Sequence, residues 1–111
     1  MAELPDVALL ERLREVLDDQ PVTETELRGL IDQADGLVRT LGAHVAGSER
    51  RLTELSDDPE SSLQEIASEL HRVELLRPRL EEARRLLAGL QERARELRTA
   101  WLIRRADRVD Y

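Results

Sequence analysis

Three groups of residues in this 111-residue chain have the types and spacing to do chemistry. The first is its two imidazoles, His44 and His71, side chains that serve as metal ligands and as general acids or bases. His71 and Glu74 lie one turn apart and could share an ion. Di-iron bundles, however, take a Glu-x-x-His pair from each of two helices. Here "HRVE" runs the other way and stands alone, so both histidines read as boundary residues and no metal is expected. The second group is Arg93, Arg95, Arg98, Arg104, Arg105 and Arg108 around Trp101, the only Trp. Such a set offers phosphate contacts with one stacking platform, or the Trp and Arg anchors of a protein interface. The third is Ser56, Ser61 and Ser62, which sit at a helix junction where capping accounts for them. Gly-rich phosphate loops and dinucleotide fingerprints are absent, so no catalytic, cofactor or small-molecule site is assigned.

Composition narrows the elements that can position these groups. One domain spanning 1–111 is expected at this length. The core must be aliphatic: there are 21 Leu but no Phe, one Trp and one Tyr. The Ala/Glu/Leu/Arg bias, with 37% charged residues, is that of long helices or coiled coils. Without Cys, disulfides and thiolate metal sites are excluded. No apolar run approaches the roughly 20 residues of a membrane span, and "MAELPDVALLERL" lacks the basic start of a signal peptide. A cytoplasmic location follows by elimination. Lys, Asn and Phe are missing together, as a GC-rich bacterial genome would produce.

Periodicity gives three helices, an all-α fold. Helix 6–18, with Asp6 as its cap, carries Val7, Leu9, Leu10, Leu13, Val16 and Leu17 on one face. Helix 23–56 opens with a capping box, Thr23 and Glu26, inside a hydrophobic staple of Val22 and Leu27. Its row is Leu27, Ile31, Ala34, Val38, Leu41, Val45, Leu52 and Leu55, and Leu30 and Leu37 widen the first half only. That half should therefore touch two neighbours. Helix 59–108 starts at Asp58 and Pro59. Its row runs Leu63, Ile66, Leu70, Val73, Leu76, Leu80, Ala83, Leu87, Leu90, Ala94, Leu97 and Trp101, with coiled-coil spacing. Pro78 predicts a kink, or a break at Arg77. The short junction makes the long helices antiparallel, pairing Leu55 with Leu63, Leu41 with Leu76 and Leu27 with Leu90. The expected fold is a long antiparallel coiled-coil hairpin with the short N-terminal helix packed on it, a three-helix bundle-like arrangement. At 1.5 Å per residue the last helix outreaches the second by about 20 Å. Residues 1–20 hold six acids and two arginines, net −4, whereas 93–108 hold six arginines and two acids, net +4. The first helix and the tail are thus complementary, in one chain or across a dimer.

Two stretches resemble helical enzyme families. "RTLGAH", with Arg39 five residues before His44, resembles the Arg-x4–6-His signature of the HEPN ribonucleases; His71 has no matching Arg. "ELRGLIDQADGLVRTL" resembles the opening of the first helix of all-helical chorismate mutases, through Leu27, Arg28, Ile31, Asp32, Asp35, Leu37 and Val38. That resemblance covers about one-sixth of the chain and implies a substrate-binding role for Arg28. The family then needs a second Arg about five turns on, where this chain has His44 and Val45, and a Lys, of which it has none. Amphipathic helices generate such patterns readily, and coincidence is the preferred reading.

The remaining feature is a row of small residues. An interior helical Gly costs about 1 kcal/mol relative to Ala, yet Gly29, Gly36, Gly42 and Gly47 all fall in the second helix. At 100° per residue, Gly29, Gly36, Thr40, Ala43 and Gly47 lie within about 40° of one line, away from the core row. Either the strip docks another helix or "GAHVAGS" frays. The function expected is that of a non-enzymatic, self-associating adaptor or assembly protein, a homodimer or a binder of a protein partner. Its contact residues would be Gly29, Gly36, Ala43, Gly47, Leu97, Arg98, Trp101, Leu102, Ile103, Arg104 and Arg105. The alternatives are a small helical enzyme of either family, using Arg28, Arg39 and His44 in one pocket, or a nucleic-acid accessory subunit using the basic tail. The net charge of −7 does not favour the latter.

Overall fold

The computed structural model describes residues 5–17 and 23–109, and all of its elements are helices. They are α1 (Pro5–Leu17), α2 (Glu24–Asp57) and α3 (Leu63–Val109). The two long helices pack as an antiparallel hairpin and α1 packs on it. The turn expected at 18–22 and the staple residue Val22 lie outside the described residues.

The helix ends follow local chemistry. α1 begins at Pro5, so position 6 lies inside the helix rather than at its cap. Proline suits a first helical turn because its missing N–H has no partner to lose there. At the start of α2 the Glu26 amide donates to Thr23 Oγ1 at 3.1 Å, and the Leu27 amide to the Thr23 carbonyl at 2.9 Å. Thr23 is therefore the N-cap. The start of α3 corrects the expectation of residue 59. The Glu60 amide donates to Asp58 Oδ1 at 2.9 Å and the Ser61 amide to the Asp58 carbonyl at 3.1 Å. Asp58 and Pro59 thus form a turn between helices. Ser62 is the cap, accepting the Glu65 amide on Oγ at 3.1 Å and the Ile66 amide on its carbonyl at 3.2 Å.

Two interruptions that the sequence left open as alternatives do not occur. α2 runs unbroken through Gly42–Ser48, so the fraying alternative finds no support in the fold. α3 continues through Pro78 as one helix, without a break at Arg77. Pro78 leaves the Glu74 carbonyl without its helical donor. Both residues are exposed, so that carbonyl faces solvent and the cost stays small.

Contacts gather into two compact units, one of residues up to Asp35 with those from Arg85 onward, the other of Gly36–Arg84. The first holds α1, the opening of α2 and the last part of α3. Its centre is Leu13, Val16, Leu27, Ala34 and Leu90, all essentially solvent-free, ringed by Leu9, Leu17, Leu30, Ile31, Leu86, Leu87 and Ala94. Leu27 and Leu90 meet here as the antiparallel register requires. Leu30 and Ile31 belong to the ring, which is why the stripe of α2 widens in its first half. Gly89 supplies a further detail: a Cβ there would lie 3.0 Å from Leu17 Cδ1 and 3.2 Å from Cδ2. The missing side chain is what lets α1 approach α3 closely.

The second unit is a two-helix segment. Leu41, Val45, Val73, Leu80 and Ala83 are buried in it. Ser48 is buried too, filling the step between Val45 and Leu52 in the α2 row. Glu49 pairs with Arg77 at 2.5 Å and Arg51 with Glu69 at 3.8 Å, so ascending numbers on α2 meet descending ones on α3. Leu63 does not pair with Leu55: it is 84% exposed, the most open of the large apolar residues. Leu55 instead lines a shallow recess with Ser62, Glu65 and Ser68.

Candidate protein-interaction groove

The groove belongs to the first unit and is built by two helices. α2 contributes Glu24, Leu27, Arg28 and Ile31 from its opening turns; α3 contributes Ala94, Leu97, Arg98, Ala100, Trp101, Leu102 and Arg104. Its volume is about 630 Å³. α1 joins the unit's core at Leu86, Leu87, Leu90 and Ala94, and from Arg95 to Asp107 every residue but Ala100 is exposed. Trp101, 54% exposed, is therefore not a core residue covered by α1.

The apolar side of the groove is open. Leu97 is 42% exposed, Trp101 54%, Leu102 53% and Ile103 57%. Leu97 and Trp101 lie one turn apart and line the groove with Leu102, whereas Ile103, two residues past Trp101, is turned to another side of the helix and does not line it. Single exposed apolar residues need no explanation, but such a cluster does.

Its polar side is cationic. Arg28 donates to Glu24 at 3.0 Å and is partly neutralised by it. Arg98 and Arg104 have no ion-pair partner among the described residues. Arg105 places its guanidinium carbon 5.2 Å from the centroid of the Trp101 ring, within cation–π range. Arg95 is held by Glu92 at 2.6 Å. The arrangement is an apolar trough with positive walls, suited to an apolar side chain carried on an acidic segment.

Other candidate residues lie elsewhere. Gly29, Gly36, Gly42 and Gly47 have nothing within 4 Å of where a Cβ would stand, and Ala43 is exposed. Among the described residues, nothing packs against these glycines. Gly89, which does have a packing reason, lies on α3, outside the strip. Arg39 and His44 are exposed and do not line the groove that holds Arg28. Five residues of helix also turn His44 about 140° away from Arg39. His71 is exposed as well, and among the described residues no three potential metal ligands cluster. None of the described helices is long and apolar enough to cross a membrane. No known protein family, curated protein or solved structure matches the chain.

Proposed function

We propose that this protein is a non-enzymatic, self-associating helical adaptor that works through helix–helix contacts, with a second copy of itself as the first partner. The observation that carries the reading is the apolar groove with exposed Leu97, Trp101 and Leu102 along its wall. Burying the half-exposed indole and the Leu97 and Leu102 side chains would contribute several kcal/mol at about 25 cal/mol per Å². Trp and Arg are the residues most often found at the energetic centre of interfaces. The open glycines of α2, with Ala43, offer a second face that another helix backbone could approach. A homodimer in the cytoplasm is the simplest setting for such a protein.

Sedimentation and light scattering test the reading directly. The mass should rise above the 12.7 kDa of one chain as concentration increases. Trp101→Ala should weaken association by more than about 1 kcal/mol, with little loss of helix content because the side chain is half outside the core. The single Trp adds an internal reporter, since its emission should shift to the blue on association. A constant monomer mass at all concentrations, with unshifted emission, would remove the self-association reading.

A further inference from the structure

The groove has a complementary surface elsewhere on the same chain. Between Glu54 and Glu65 there are five acids, Glu54, Asp57, Asp58, Glu60 and Glu65, and no basic residue. All five are exposed. The turn formed by Asp58, Pro59 and Glu60 holds them close together at the junction of α2 and α3. Among them stands Leu63, 84% exposed at the first position of α3. An apolar side chain rimmed by carboxylates is the chemical inverse of an apolar trough rimmed by Arg28, Arg98 and Arg104.

We propose that the acidic turn of one copy docks into the groove of a second copy, with Leu63 against the Leu97–Trp101 patch and the carboxylates facing Arg98 and Arg104. This rests on the self-association reading and specifies its contact. Both surfaces are present on every copy, so each copy can offer a turn and receive another in its groove. Two basic tails facing one another would instead bring like charges together. The contact weakens as ionic strength rises, because its rim is exposed and screened over about 10 Å at 0.1 M salt.

A charge swap tests this on the full chain. R98E/R104E makes the groove acidic; D57R/E60R makes the turn basic. The four residues are exposed, so each variant should keep its helix content, which circular dichroism checks. Each variant alone should associate at least about tenfold more weakly than the original chain. Mixed in equal amounts they should recover association to within about threefold, because both contacts of the mixed pair are again between opposite charges. If D57R/E60R alone associates like the unaltered chain, the turn is not the occupant: self-association stands and this contact falls. If the mixture fails to recover, the pairing of these surfaces is likewise overturned. A chain that is monomeric at every concentration overturns both the contact and the reading beneath it.

Discussion

The close approach of α1 to α3 at Gly89 can be measured as a coupling between two side chains. Replacing an interior helical Gly by Ala gains about 1 kcal/mol from propensity alone. At Gly47 nothing lies within 4 Å of the added carbon, so G47A should gain that amount in a single chain. At Gly89 the same carbon would meet Leu17 Cδ1 at 3.0 Å and Cδ2 at 3.2 Å. Leu17 must shift, and overpacking of this kind costs about 1–3 kcal/mol. The net expectation for G89A is a loss of about 1 kcal/mol, a contrast of about 2 kcal/mol with G47A. In thermal unfolding each kcal/mol moves the midpoint by about 4 °C at this chain length. Leu17→Ala removes the obstruction. In that background G89A should turn stabilising, giving a coupling of about 2 kcal/mol, within the range seen for touching residues. The measurements belong at dilute concentration, where association adds nothing to apparent stability. If G89A stabilises the unaltered background as much as G47A does, Leu17 is not seated on Gly89 and α1 does not pack as described.

Leu90→Ala should cost about 2–5 kcal/mol in urea unfolding because Leu90 is fully buried. Leu63→Ala, by contrast, should stay within about 0.5 kcal/mol. Ser62→Ala should lose about 1 kcal/mol by removing the cap of α3, with a smaller loss for Pro59→Ala, which lies outside the helix; equal losses would put the helix start back at residue 59. A double-mutant cycle on Glu49 and Arg77 should give less than about 1 kcal/mol, vanishing in high salt, since the pair is about half exposed.

Much of this architecture is readable from the residues because burial follows the apolar rows. The capping box at Thr23 is clear because Glu26 stands three residues on, whereas Thr25 has Arg28 at that spacing. The widened stripe, through Leu30, correctly places α1 on the first half of α2. The start of α3 is harder because "SDDPESSLQE" contains two competent caps. Asp58–Pro59 suits both a helix start and a turn. Ser62 wins with Glu65 three residues on, and the turn uses the earlier pair. Gly89 gave one signal, a lone Gly inside the longest helix, but local sequence does not say which side chain fills its space. Ser48 was legible as the gap between Val45 and Leu52; its burial required the partner helix to be in place.

The deeper limit concerns coverage. Along α3, Leu63, Val73, Leu80, Leu90, Leu97 and Trp101 obey one spacing, yet only the middle members are buried. Periodicity reports which side of a helix is apolar and carries no information about whether a neighbour extends that far. The stretch from Val73 to Leu90 has α2 against it, with α1 closing over the later part, whereas Leu63 at one end and Leu97 with Trp101 at the other have no such cover. Unsatisfied ends of one apolar row are where association can add burial at least cost to the existing fold. An alanine scan along the row should therefore split in two. Substitutions from Val73 to Leu90 should lower unfolding free energy at any concentration, whereas those at Leu63, Leu97 and Trp101 should leave dilute-chain stability nearly unchanged and weaken association. End residues that matter as much to the dilute chain as Leu90 does would mean that the row is covered within one molecule, and the argument for a docking groove would fail with it.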